Sequence, residues 1–356
     1  MKTPLEAVQY KCPNCGAELQ FKPDRQAFGC DFCLSSFTEA EIKEVCAKTE
    51  NSIPDAEIDA QKDFAEHTNL YHCSGCGAEI ICDDNRTADF CYYCHEPVIL
   101  SGRMSGEFKP NKVIGFRLTR DNAVDAFKKW VGKRWFVPSS FKSNQQLEKL
   151  TGLYVPFWVA DCGLKADYVA KGHKIRTWTS GNYRYTETKE FEIIRRANIT
   201  ADGIPADGES KIDDLLMEAI EPFDYTQAKD FSMSYLSGFL ADKYDVDKAA
   251  VFPRIQVRAA DAAKSVINQS ISGYDSVIPR SEDYKIMHTD WQYMLLPVWF
   301  MTYKYNGEIY SFAVNGQTGK LAGTPPLDKM KLALASLGFG LAAAVIIMLI
   351  LGVFLG

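Results

Sequence analysis

The chain has 356 residues, 46% hydrophobic and 24% charged, with 40 basic against 46 acidic side chains. That composition excludes a disordered or low-complexity protein and allows two or three domains. The formal charge of −6 is unevenly laid out: residues 1–110 carry 10 Lys/Arg against 19 Asp/Glu, residues 111–200 carry 17 against 8, residues 201–331 carry 13 against 19, and nothing after Lys331 is charged.

The opening MKTPLEAVQYKCP lacks an apolar run, so it does not read as a secretory signal. Eight of the 11 cysteines then fall into two matching quartets, Cys12, Cys15, Cys30 and Cys33, and Cys73, Cys76, Cys91 and Cys94. Both have 14 residues between their Cys-x-x-Cys knuckles, and a shift of 61 positions lays Cys12–Glu18 on Cys73–Glu79, Arg25 on Arg86 and Ala27 on Ala88, which marks an internal duplication. Two residues between cysteines let a tight turn aim both sulfurs at one point, with Gly16 and Gly77 where the backbone turns back. Two such turns supply the tetrahedron of thiolates that zinc favours, so two structural Zn²⁺ are expected. Disulfides seldom persist in a reducing cytosol, and rubredoxin-like iron is the other metal that uses such knuckles. A complete four-sulfur set leaves no open position for catalysis. His72 and His95 abut ligand cysteines and are expected to be exposed neighbours. Each quartet spans only about 25 residues, too few for a core, so metal binding there is folding free energy.

Between the quartets the chain is acidic and helical in pattern, with Thr38-Glu-Ala-Glu41 as a capping box, Pro54 suited to a first helical turn, and Cys46 as a packing residue. The knuckles Cys-Pro-Asn-Cys-Gly-Ala (Cys12 to Ala17) with a second pair 14 residues on resemble the TFIIB-type zinc ribbon, whose members often bind nucleic acid or polymerase subunits. The charge argues for protein partners instead: the acidic first 110 residues, with about −2 more from each metal-thiolate site, repel a phosphate backbone.

Asp121 to Val131 has the apolar spacing of an amphipathic helix and leads into Lys133, Arg134, Trp135, Phe136 and Lys142. Its cations Lys128, Lys129, Lys133 and Arg134, interleaved with aromatics, suit an anionic lipid surface or single-stranded nucleic acid, or form an ordinary solvated face. Leu153–Cys162, Tyr168–Gly172, His173–Thr179 and Tyr183–Ile194 read as consecutive strands, and Glu209–Ile220 and Val246–Val266 as helices. Leu295–Tyr305 and Glu308–Val314 read as a hairpin about Asn306-Gly307, followed by a turn at Asn315-Gly316. Tyr154-Val-Pro156-Phe-Trp158 matches Leu295-Leu-Pro297-Val-Trp299 at an offset of 141, suggesting two related β-rich lobes.

No H-E-x-x-H, G-x-S-x-G or G-x-G-x-x-G occurs, and no enzyme is expected. Gly316-Gln-Thr-Gly319-Lys320 has the wrong spacing for a nucleotide-binding loop. Cys162 and His173, on neighbouring predicted strands, are the one pair suggestive of nucleophile and base, with a buried thiol and a strand histidine as the plainer alternative. His67 and His288 have no visible partners.

Leu332 to Gly356 holds 25 residues without an ionisable group, 14 of them Leu, Ile, Val or Phe. As a helix of roughly 37 Å it spans the hydrocarbon of a bilayer. Lys329 and Lys331 precede it and nothing charged follows, so a tail-anchored protein with its body in the cytosol is expected. Ser336, Gly340 and Ala344 form a small-residue stripe suited to packing on another membrane helix.

Gly152-Leu-Tyr-Val-Pro-Phe-Trp158, Tyr235-Leu-Ser-Gly-Phe239, Leu296-Pro-Val-Trp299 and Val314-Asn-Gly-Gln-Thr-Gly319, together with the terminal span, resemble the YdjG-like family of membrane-anchored zinc-ribbon proteins in Gram-positive bacteria. That resemblance implies no known catalysis and a setting beside PspA-like envelope-stress proteins. A primosomal-helicase label borne by some relatives has no support in the motifs here.

The expected architecture is α+β: a zinc ribbon over 1–37, an acidic helical linker over 38–70, a second ribbon over 71–110, a mixed β-rich domain with two related lobes over 111–325, a juxtamembrane linker over 326–331 and a transmembrane helix over 332–356. The expected function is a membrane-tethered adaptor that assembles protein partners at the cytosolic face. A nucleic-acid-linked regulator acting through residues 111–200, or an enzyme using a cleft between the lobes, are the alternatives.

Overall fold

The structure is a computed structural model that describes residues 12–17, 19–22, 27–38, 41, 61, 62, 64, 65, 68–83, 91–94, 96, 98–103, 109–236 and 239–355. Cys46, Pro54, His67 and His95 lie outside the described residues. The Thr38 capping box has both its reciprocal bonds, Thr38 N–H to Glu41 Oε2 at 2.7 Å and Glu41 N–H to Thr38 Oγ1 at 3.3 Å.

A small three-stranded sheet follows the first knuckle: β1 (Gln20–Lys22), β2 (Ala27–Gly29) and β3 (Ser36–Phe37). Around the second quartet run β4 (Thr68–Cys73), β5 (Glu79–Asp83) and β6 (Val98–Arg103). Then come β7 (Lys112–Val113), α1 (Arg120–Gly132) and the short α2 (Asn144–Leu147). The middle of the chain supplies β8 (Thr151–Ser180), β9 (Tyr183–Asp207), α3 (Asp214–Ile220), β10 (Lys229–Asp230), β11 (Leu240–Asp242) and α4 (Lys248–Gln269). The last elements are β12 (Ser276–Tyr305), β13 (Glu308–Asn315), β14 (Leu321–Gly323) and α5 (Lys329–Leu355).

Three strands expected between Leu153 and Thr179 are one strand of 30 residues, about 100 Å long at 3.3–3.4 Å per residue. Lys165, Asp167 and Gly172 interrupt its apolar pattern, yet β9 and β12 pair along its two edges and keep the backbone extended. Gly163 sits where the His288 ring of β12 crosses so closely that a Cβ would collide with it. The Val246–Val266 helix begins and ends two to three residues later than expected, after the Asp247 side chain accepts from Ala250 N–H. The Glu209–Ile220 helix starts only at Asp214, because the Asp213 side chain caps Leu215 N–H and Glu209 turns inward. Asn306 and Gly307 have positive φ and close the expected hairpin, whereas Asn315-Gly316 opens a longer loop, Gly319 N–H donating to Asn315 O at 2.9 Å.

The core follows from side-chain alternation. Leu164, Ala166, Tyr168 and Ala170 of β8 face Ala259, Ala263 and Ile267 of α4, whose small residues at four-residue spacing let the helix lie close to the ribbon. Nearer the start of β8 both faces are covered: Tyr154, Trp158 and Ala160 belong to one cluster, Leu153, Val155, Phe157 and Val159 to another. Beyond His173 the β8–β9 hairpin continues without β12 and is exposed.

The matched segments 154–158 and 295–299 lie side by side. Tyr154 pairs with Pro297, Val155 with Leu296 and Pro156 with Leu295, so an offset of 141 exchanges the strands about Val155 and Leu296. Surrounding bonds obey the same exchange. Gly208 N–H donates to Pro156 O and Gly316 N–H to Pro297 O, both at 2.8 Å. Trp158 Nε1–H donates to Val246 O and Trp299 Nε1–H to Leu118 O. Thr119 and Asp247 then cap α1 and α4 one residue after those carbonyls. The two matched stretches thus share one sheet by direct antiparallel pairing of β8 with β12.

Candidate metal centres

Each quartet is brought together by two knuckles whose backbones close on themselves. In the first, Gly16 N–H donates to Cys12 O at 2.9 Å and Cys12 N–H to Ala17 O at 2.7 Å; in the third, Gly77 N–H donates to Cys73 O and Cys73 N–H to Ala78 O, both at 2.9 Å. Gly16 and Gly77 have φ of +77° and +74°, a conformation that glycine adopts without a Cβ clash. The corresponding residue of the second knuckle is Leu34, at φ 59°.

Cys12 and Cys33 Sγ are 3.5 Å apart and Cys15 and Cys30 Sγ 3.4 Å; in the second set Cys73 and Cys94 are 3.5 Å apart and Cys76 and Cys91 3.6 Å. All four sulfurs of each set lie within 4.8 Å of one another. A tetrahedral ion with sulfur at about 2.3 Å needs sulfur–sulfur edges of about 3.8 Å, so both sets can hold a metal ion and are consistent with zinc. The protonation balance agrees with that donor set. Bonds from Cys12 and Cys15 hold Cys33 far below an ordinary thiol, while Cys15 is driven far above it by Cys12, Cys33 and burial, as expected where four sulfurs crowd one point.

The two clusters are seated differently. The first rests on α4 and β12: Phe252 and Trp291 pack against its cysteines, Trp291 Nε1–H donates to Asn14 O at 2.8 Å, and Asn14 Nδ2–H to Met287 O at 3.3 Å. Its second knuckle turns outward, with Phe32 60% and Leu34 80% exposed. The second cluster is built into the large sheet, because β5 pairs with β11 through Ile81–Ala241 and Ile80–Asp242. Its knuckle residues Tyr92 and Tyr93 are buried, and their hydroxyls both donate to Asp242, Tyr93 at 2.7 Å. Burial first, and Asp245 second, push the Asp242 carboxyl well above its ordinary range, so it is held by donors and not by a cation. Thr302 Oγ1–H of β12 also donates to Tyr92 O at 2.9 Å. Tyr93 and Phe32 are equivalent under the 61-residue shift, so one copy of the same knuckle is locked in the core and the other is presented to solvent.

Over 328 residues the chain is 33% identical to "Uncharacterized protein YdjG" of Bacillus subtilis (strain 168), an alignment covering 92% of each. It belongs to the YdjG family. No family model and no solved structure matches the chain. Kinship with YdjG therefore rests on the whole length of the molecule and brings no described activity with it.

Cys162 and His173 are not neighbours. They stand 11 residues apart on the same strand, about 36 Å along it, because the chain between them never turns. Cys162 is buried with its thiol pushed up to about 11 by burial, and His173 meets Ser276 Oγ at 3.1 Å and Glu190 at 3.5 Å. His72 is exposed on β4 beside its cysteine.

The acidic groups legible only in the fold lie where β9 ends. Asp207 and Glu209 are buried; Arg254 of α4 binds Asp207 at 2.8 Å, Asp214 at 3.0 Å and Glu218 at 3.2 Å, and Arg258 binds Glu221. No motif announces this network, since its members come from three elements. Finally, α5 is long and apolar enough to span a membrane, and none of its apolar window is buried against the body.

Proposed function

We propose that this protein is a tail-anchored, zinc-binding adaptor that assembles protein partners at the cytosolic face of the membrane. The observation that carries the reading is the outward knuckle of the first cluster. Leu34 holds a left-handed conformation that costs a non-glycine residue about 1–2 kcal/mol, in a position where the first and third knuckles use glycine and the fourth has His95, and it does so 80% exposed beside Phe32. Strain retained at an exposed apolar tip suits a recognition surface. The two sulfur tetrahedra are read as structural zinc ribbons, their four protein ligands leaving no open position. The domain beside them is read as two related lobes, an interpretation favoured by the paired Gly208–Pro156 and Gly316–Pro297 bonds. Lys329 and Lys331 at the start of α5 favour the cytosol for the body, where membrane proteins or PspA-like peripheral proteins are the partners to seek.

The test is affinity purification of the full chain from detergent-solubilised membranes after cross-linking, with zinc measured on the same sample. Two zinc per chain and a co-purifying protein that disappears with Phe32→Ser/Leu34→Ser, zinc content unchanged, support the adaptor. Recovery of the chain alone, or a partner indifferent to the double substitution, overturns it. Steeply salt-dependent binding of DNA or RNA would favour a nucleic-acid regulator in its stead.

A further inference from the structure

The segment after α1 is tied to the first turn of α5. Asp328 N–H donates to Phe136 O at 2.7 Å, and Lys331 Nζ donates to Val137 O at 2.8 Å and to Ser139 Oγ at 3.1 Å. These bonds place residues 133–139 at the level where α5 leaves the body. A groove of about 450 Å³ opens there between Lys133, Arg134 and Trp135 on one side and Pro325 and Leu327 on the other. Trp135 is 79% exposed although its neighbours Phe136 and Val137 turn inward. Arg134 is held in place: its guanidinium lies 3.6 Å from the Trp130 ring centroid and donates to Trp130 O at 2.7 Å. Lys128, Lys129, Lys133, Lys142 and Lys329 are exposed around the groove's approach. Among the described residues none of these five, nor Arg134, forms an ion pair with a carboxylate. Asp121 and Asp125, earlier on α1 than Lys128 and Lys129, and Asp328, whose Oδ1 accepts from Met330 and Lys331 N–H at 3.1 Å, are the acids on the same segments.

An amphipathic ring in solvent, cations that form no ion pair among the described residues and a groove whose lining ends two residues before an apolar helix fit one ligand. We propose that this groove binds an anionic phospholipid, its headgroup on Lys133 and Arg134, Trp135 at the glycerol level and the acyl chains along the start of α5. The inference rests on the reading that α5 spans the membrane. Tryptophan is favoured at the interface, and each cation near an anionic surface strengthens binding about fivefold. A soluble anionic peptide would gain from the cations and nothing from the fixed descent of α5 beside them.

The full chain is reconstituted into nanodiscs of phosphatidylcholine alone or with phosphatidylglycerol, some carrying bromine at acyl carbons 6 and 7. In phosphatidylglycerol discs, part of the tryptophan emission is quenched, and that part is absent from Trp135→Phe. Bound phosphatidylglycerol counted by native mass spectrometry falls by about an order of magnitude in Lys133→Gln/Arg134→Gln, and free glycerol phosphate does not compete for it. Equal quenching in wild type and Trp135→Phe, or no preference for phosphatidylglycerol, in a protein that resists alkaline carbonate extraction overturns the lipid site and leaves the anchor standing. Competition by free glycerol phosphate moves the ligand from lipid to a soluble phosphate and overturns it too. Extraction by carbonate overturns the anchored reading, and the lipid site with it.

Discussion

Glu209 shows how much a single buried group decides. Its carboxyl is pushed up to about 7, by burial first and by Asp245 second, with Lys211 opposing. An acid whose folded pKa is raised contributes its full stability below the unfolded value and loses it as pH rises through the folded one. Taking 4.5 as the unfolded value, wild-type stability falls by about 3 kcal/mol between pH 4 and 8 through this group. Glu209→Gln removes most of that slope, so urea unfolding at pH 5 and pH 8 brings the two proteins together at the acid end and separates them, the variant more stable, at the alkaline end. At Asp242 the expected effect is of the opposite kind. Tyr93→Phe withdraws one of the two hydroxyls that satisfy a fully buried carboxyl, and a loss of about 1–3 kcal/mol in thermal or chemical unfolding is expected with metal content unchanged. Leu34→Gly is expected to stabilise the first cluster by up to about 1 kcal/mol, read as tighter metal retention against a chelator, while weakening partner capture.

At the scale of elements, the duplicated modules are not equivalent. Read from spacing, replacing Cys30 or Cys91 by Ser unfolds one ribbon and nothing else. The pairing of β5 with β11, and of Tyr92 and Tyr93 with Asp242, couples the second module to the large sheet. Cys30→Ser is therefore expected to leave the main unfolding transition in place, because its module touches the body mainly through Phe252, Trp291 and Asn14. Cys91→Ser is expected to lower that transition by several degrees, a contrast that differential scanning calorimetry resolves. Equal effects would mean that the β5–β11 pairing contributes little. The helices illustrate a similar point. The spacing of Ala123, Phe127 and Val131 located α1 to within a residue or so at each end, since all three are buried as a helical stripe demands. The 30-residue β8 escaped, since polar and glycine positions that look like strand ends are filled by neighbours from elsewhere in the chain.

For the whole molecule, the charge blocks acquire places. The basic segment 111–200 contains both the cationic side of the groove beside α5 and the exposed hairpin tip, where Arg176 lies over Trp178 and Trp178 stacks on Tyr185. Removing metal with a strong chelator is expected to release both clusters, destabilising the body through the second and exposing Phe252 through the first. A two-step loss of thermal stability against chelator concentration, restored by added zinc, is the expected outcome.

The cysteine spacing alone determined the two four-cysteine groups able to hold a metal ion, and the uncharged run after Lys331 alone determined the apolar helix, because each is a local pattern whose chemistry admits few alternatives. The offset of 141 matched two short segments, but only the sheet showed that they pair with each other, Val155 opposite Leu296. Tertiary structure alone separated Cys162 from His173, gathered Asp207, Glu218 and Glu221 with the arginines of α4, and turned Tyr93 inward while leaving Phe32 outside. Contacts between residues more than a hundred positions apart leave no periodicity in the chain, so burial and partnership there were set by packing and not by any motif.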